Sequence, residues 1–177
     1  MQVKKVTEPY TWKRLDNAAK IFPAAVSGTD TQVFRFSCDL RDPVNPEVLQ
    51  KALDETLEFF SMYRSVMKRG MFWYYLEETT LRPLVREEYK EPCSRLYNRN
   101  AGGILFEVTY YGQRINLEIF HVLSDGTGAM HFLIALVNRY CSLQYGCTLP
   151  TDYGASQSEM AKDSFQKYSL RRTKKEN

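Results

Sequence analysis

The chain has 177 residues, 44% hydrophobic and 14% aromatic, which fits one globular domain and excludes a disordered or fibrous protein. Its formal net charge is +3, but the terminal RRTKKEN holds four basic residues and one acidic one. Taking these from the totals of 24 and 21 leaves a neutral body, which excludes the basic face of a nucleic-acid binder. Four cysteines, Cys38, Cys93, Cys141 and Cys147, show no C-x-x-C spacing and no tight disulfide framework. The opening MQVKKVTEPYTWKRLD lacks the apolar core of a secretion signal, and the longest apolar run, FLIALV, is far shorter than the ~20 residues that span a bilayer. The expectation is a cytoplasmic protein with reduced thiols and no membrane span.

Taken in order, TQVFRFSCDL (31–40) is aromatic and β-branched enough for a strand, with Val33, Phe36 and Cys38 in imperfect alternation. In the next segment Asn45 is placed to cap a helix that begins at Pro46, with Glu47 in its first turn. Val48, Leu49, Ala52, Leu53, Leu57 and Phe60 recur at helical spacing and predict one apolar face. MYRSVMKRGMFWYYLEE reads as two strands joined by a tight turn at Arg69-Gly70. Residues 79–103 carry Pro83, Pro92 and Gly102-Gly103 and read mostly as loop. ILFEVTYYGQRINLEIFH is a second hairpin turning at Gly112-Gln113, and its last strand alternates Ile115, Leu117 and Ile119 with Asn116, Glu118 and Phe120. A helix follows from Thr127 to Tyr145, with Leu133, Leu136, Val137 and Tyr140 on its stripe and Gly146 as the C-cap. The order β-α-β-β-loop-β-β-α predicts an α/β (α+β two-layer sandwich) domain: a mixed, mostly antiparallel sheet with helices packed on one face.

One of only two histidines, His121, lies at the end of the last strand, where a short connection enters the helix. Strand ends are rigid and the loops after them accessible, which suits a reacting side chain. Period-2 alternation puts His121 on the face of Leu117 and Ile119, at the edge of an apolar layer. Partial burial disfavours a charged imidazole, and a neutral one can take a proton from a hydroxyl or amine. Asp125 and Gly126 follow; the aspartate can cap the helix, pair with an arginine or orient the loop, and the glycine permits a sharp turn or close approach.

Other readings of this region are weaker. His131, on the helix beside Phe132, is a packed or surface residue, and two histidines do not make a zinc site. Ser124 has no third orienting group or nucleophile elbow. DGTGAM lacks the G-K-[ST] ending of a phosphate-cradling loop, and the aromatics of MFWYYLEE suit a core and cross-strand pairs better than a stacking platform.

FHVLSDGTGAMHFL resembles the H-x-x-x-D-G active-site motif of the coenzyme A-dependent acyltransferase superfamily. That group includes chloramphenicol acetyltransferase, the condensation domains of nonribosomal peptide synthetases, and alcohol acetyltransferases. LDNAAKIFPA resembles the opening of the bacterial alcohol-acetyltransferase-like branch, and the helix from Pro46 with MYRSVMKRG resembles the helix and arginine-bearing strand that follow there. The likeness runs in order from about residue 14 to 145 and implies the N-terminal lobe of a chloramphenicol acetyltransferase-like fold.

On that resemblance, His121 matches the base that deprotonates the acceptor. Asp125 matches an aspartate that forms a structural salt bridge to an arginine, and Gly126 a glycine that keeps the tunnel clear. Phe120 stands where many members carry a preceding, more variable histidine, and no residue matches an oxyanion-stabilising motif. The implied donor is acyl-CoA (or an acyl-phosphopantetheine), with no permanently bound cofactor. The implied acceptor is a small alcohol, favoured over an amine. Residues 1–150 then form the lobe and the charged segment 151–177 begins the connection to a second lobe; the implied partner is that second lobe or a homo-oligomer partner. By itself the chain is expected to be inert. The competing expectation, from a different class, is a non-catalytic binding or interaction lobe that retains the fold.

Overall fold

The computed structural model describes residues 12–14, 30–71, 73–97 and 102–147. The stretch LDNAAKIFPA and the charged segment 151–177 lie outside the described residues. In chain order the elements are β1 (Trp12–Arg14), β2 (Val33–Asp39), α1 (Pro46–Phe59), β3 (Ser65–Arg69), β4 (Tyr74–Glu78), β5 (Arg86–Glu87), β6 (Phe106–Tyr111), β7 (Arg114–Phe120) and α2 (Gly126–Tyr145). A single 3-10 turn, Ser61–Tyr63, joins α1 to β3.

Both helices start where side chains can satisfy their free amides. The Asn45 carboxamide accepts from the Glu47 and Val48 amides at 3.1 and 3.3 Å, and Pro46 gives up no amide that the helix needs. Leu49, Ala52, Leu53 and Leu57 are buried along α1, and Phe132, Leu133, Leu136 and Tyr140 along α2. The two helices pack on each other, and the Asn45 amide donates to the Tyr140 hydroxyl at 2.9 Å. Gly146 closes α2 at φ 66°, its amide donating to the Ser142 carbonyl; only glycine takes that left-handed backbone without strain.

Four strands form the main sheet in the order β2-β7-β6-β5, with β5 parallel to β6 and the other pairs antiparallel. A second antiparallel sheet has the order β1-β4-β3, and the bridge from Val66 to Ile104 links it to the chain entering β6. The fold is thus a mixed, mostly antiparallel α/β sandwich with its helices on one face.

Cross-strand register decides which side chains meet those helices. Phe34, Phe36 and Cys38 pair with Ile119, Leu117 and Ile115, which pair in turn with Phe106, Val108 and Tyr110. The Phe106 ring then meets Phe132 of α2 edge-on at 5.6 Å. Val33 and Phe36, expected in one alternating set, project to opposite faces because they are an odd number of residues apart.

The opposite face is buried as well. Glu118 is 2% exposed, and Arg35 grips its Oε1 through Nε and Nη2 at 2.9 and 2.7 Å. The third Arg35 nitrogen, Nη1, holds Glu88 at 2.6 Å. Burial works against the Arg35 cation, but the two carboxylates outweigh it and raise its pKa. Tyr97 stacks on Phe120 at 5.5 Å. Residues 88–97 therefore roof the sheet. The reading of 79–103 as mostly loop holds, since Arg86–Glu87 is the one strand among its described residues, and this irregular segment closes the core from the far side.

Two local expectations also change. The β3–β4 connection spans residues 70–73 rather than a two-residue turn, with the Gly70 amide donating to the Trp73 carbonyl at 2.7 Å. Trp73 at 52% exposure lies outside the core that MFWYYLEE was expected to fill, whereas Leu76 is buried opposite Met67. Strand β1, formed by Trp12–Arg14 against β4, had no counterpart among the sequence-based elements because three residues show no periodicity.

Candidate active site

Strand β7 ends at Phe120, whose amide still donates to the Leu105 carbonyl at 2.8 Å. The chain then turns, and the Leu123 amide closes back on the Phe120 carbonyl. His121 is the first residue of that turn. Its amide donates to the Gln32 carbonyl at 2.9 Å, which keeps its backbone in register with the start of β2. Val122 and Leu123 are buried beneath it, while His121 itself is half-buried.

The imidazole lies against the Phe34 ring, centroids 4.6 Å apart and planes tilted by 47°. Phe34 in turn meets Phe36 edge-on at 5.7 Å. Both phenylalanines are half-buried on β2, the edge strand among the described residues. His121, on the face of Leu117 and Ile119, thus stands at the rim of the apolar layer.

Asp125 is the N-cap of α2: its Oδ1 accepts the Gly128 amide at 2.8 Å. Of the three roles open to it from sequence, this contact is directly visible. Ser124 donates to the Asp125 carbonyl at 3.2 Å, so its hydroxyl serves the turn. A side chain at Gly128 would run into that hydroxyl, which explains the second glycine of DGTG. Gly126 differs, because a Cβ there would meet only Phe36 Cζ at an ordinary 3.9 Å.

Behind the turn stands an aromatic stack. Tyr63 lies parallel to Phe132 at 4.1 Å and edge-on to Phe106 at 5.4 Å. Its buried hydroxyl approaches Ser124 without forming a well-aligned hydrogen bond. Burial pushes the Tyr63 pKa above its usual 10.0, and the nearby Asp125 charge adds to the shift while Ser124 opposes it.

From the far side, Thr31 donates to the Cys93 carbonyl at 2.7 Å, and the Cys93 amide donates to Glu118 at 2.7 Å. Both Gln32 and Cys93 hold positive φ, 54° and 59°, which costs a non-glycine residue energy and recurs near functional sites. The roof segment is thereby tied to the residues that hold His121. Sequence reasoning singled out His121, Asp125 and Gly126 as candidates and did not foresee Gln32, Phe34, Tyr63 and Cys93 as their neighbours; the one signal available was the Phe34/Phe36 pair in TQVFRFSCDL.

His131 is exposed on α2, away from any ligand set. Among the described residues no cluster of His, Cys, Asp and Glu could hold a metal ion, and no helix is long and apolar enough to cross a membrane.

No protein-family model matches the chain, and no curated protein does. Solved structures do match. The starter condensation domain of rhizomide synthetase superposes with a TM-score of 0.67 at 16% identity, covering 93% of this chain and 46% of that one. The first condensation domain of the calcium-dependent antibiotic synthetase, in complex with a substrate analogue, gives 0.63 at 15% identity over 85% and 44%. Polyketide synthase associated protein 5 from Mycobacterium tuberculosis gives 0.54 at 17% over 78% and 35%. The chain therefore has a condensation-domain fold, the architecture shared with chloramphenicol acetyltransferase-like acyltransferases. It spans less than half the length of each of these structures.

Proposed function

We propose that the chain is the N-terminal half of an acyltransferase and that His121 is its general base. The observation that carries this reading is the placement of His121: it follows directly on β7, an inner strand of a condensation-domain fold, half-buried against an apolar ring, in the turn that leads to a capped helix. In the complete site, an acceptor hydroxyl or amine would lose its proton to the imidazole as its oxygen or nitrogen attacks a thioester carbonyl. The tetrahedral intermediate collapses by breaking the carbon–sulfur bond, and the departing thiolate recovers the proton from the imidazolium. No covalent enzyme intermediate is needed. The donor is acyl-CoA or an acyl-phosphopantetheine, and an alcohol acceptor is favoured by the alcohol-acetyltransferase-like resemblance of the sequence.

The second wall of the site comes from another lobe or a partner chain. Groups aimed at the developing oxyanion usually supply the largest share of rate enhancement, and no residue here is assigned to that task. The chain alone is accordingly expected to turn over acyl-CoA negligibly. The test is release of free coenzyme A by this chain together with its complementary half, over a panel of alcohols and amines. His121→Ala should lower turnover by ~10²–10⁴-fold. Activity within a few fold of wild type would remove His121 from the chemistry, and no turnover on any acceptor would favour a non-catalytic binding lobe.

A further inference from the structure

Strand β2 sits at one edge of the main sheet, with β7 as its partner among the described residues. On its roofed face Arg35 and Ser37 are fully engaged, with Glu88 and Glu118 and with Asn116. On its helix-side face Phe34 and Phe36 pack into the core with only part of each ring, and both remain half-buried. The rings make consecutive contacts: His121 with Phe34, Phe34 with Phe36, and Phe36 nearest to Gly126. The fold does not require a glycine at 126, since its φ is not positive and a Cβ there would make only ordinary contact with Phe36. The missing side chain leaves an apolar shelf that begins at the imidazole and runs along two aromatic rings.

We propose that Phe34 and Phe36 are specificity-determining residues: they form the wall of a subsite for an extended apolar substrate chain whose reactive end lies at His121. The assignment rests on the acyltransferase reading for what is reacted, but the shelf and its preference for apolar chains are properties of the surface itself. Such a wall selects by area removed from water, so affinity should climb roughly three- to fourfold for each methylene laid on it. The apolar chain can belong to the acyl group of the donor or to the acceptor, and both present the same chemistry to the rings.

The probes are two series of increasing length: butanoyl, hexanoyl and octanoyl pantetheine thioesters, and butan-1-ol, hexan-1-ol and octan-1-ol. His121 supplies the reporter. The chain has two histidines, and in the His131→Gln variant, changed at an exposed helix position, every imidazole NMR signal belongs to His121. Titration of that variant should move the His121 ring signals, with apparent affinity rising along at least one series. A gradient confined to the thioesters assigns the shelf to the acyl chain, and one confined to the alcohols assigns it to the acceptor. Phe34→Ala and Phe36→Ala should flatten the gradient. Gly126→Ala, which the fold accommodates at 3.9 Å from Phe36, should selectively weaken the longest probes and covers the case in which an alanine at 34 or 36 disturbs folding. A His121 signal unmoved by both series, or a gradient that survives Phe34→Ala and Gly126→Ala in folded protein, overturns the proposal. The readout is binding, so it stands apart from the His121→Ala turnover test, and either reading can fail alone.

Discussion

The carbonyl of Gln32 accepts the main-chain amide of His121 at 2.9 Å, and Gln32 makes this contact from a left-handed backbone with φ 54°. Its own amide donates to Asp30 Oδ1 at 3.0 Å, a local turn that stabilises the unusual conformation. Neighbouring Thr31 is held by Cys93, which is itself at φ 59° and bound to buried Glu118. The turn carrying His121 is thus clamped by two segments distant in sequence, each accepting backbone strain to do so.

That clamp can be tested at Gln32. Glycine removes the strain of the left-handed conformation but loosens the unfolded chain, and these effects roughly cancel; Gln32→Gly should stay within about 0.5 kcal/mol of wild type. A β-branched residue is a genuine outlier at positive φ, so Gln32→Val should cost about 1–3 kcal/mol. Chemical denaturation gives the stabilities, and the His121 ring signal should move in the valine variant and not in the glycine one.

At Asp125 the cap and the charge separate cleanly. Asparagine caps as well as aspartate, whereas alanine cannot accept the Gly128 amide. Asp125→Asn is expected to keep stability, and Asp125→Ala to lose about 1 kcal/mol. Turnover measured with the complementary half then isolates the charge: equal activity in Asp125→Asn and wild type would assign Asp125 to the cap alone.

The Arg35–Glu118 pair lies beneath the roof, with Glu118 2% exposed. Removing one partner strands the other, which costs about 3–5 kcal/mol for a buried pair. Arg35→Met should show a loss in that range by denaturant unfolding. Adding Glu118→Leu should recover part of it, because the stranded carboxylate is gone. If the double variant were the less stable of the two, the pair would be contributing through packing, with the charge secondary.

Tyr63 predicts the alkaline limit of stability. Its pKa is raised in the folded state, chiefly by burial, so the folded protein keeps a proton that the unfolded chain loses. The sign follows: this stability is intact below the ordinary tyrosine value of 10.0 and falls as pH rises above it. Tyr63→Phe removes the ionisable group and keeps the stack on Phe132, so melting temperatures above pH 10 should decline less in the variant. Equal declines would assign the alkaline loss to other groups.

Much of this protein is written locally. Asn45-Pro46 starts α1, Gly146 ends α2, and the period of Leu49, Leu53 and Leu57 marks a buried stripe, because capping and helical spacing act within a few residues. His121 could be located for the same reason: strand, turn and capped helix are consecutive in the chain. Tertiary structure decided the rest. Asn116 and Glu118 alternate with Ile115, Leu117 and Ile119 as a solvent face would, yet both are buried, since residues 88–97 fold over them and Arg35 reaches across from β2. A polar position looks the same in sequence whether it faces water or a partner far along the chain. The aromatic wall beside His121 follows that logic too. Phe34 and Phe36 read as one strand's interior until antiparallel register set them opposite Ile119 and Leu117, next to a turn nearly ninety residues away.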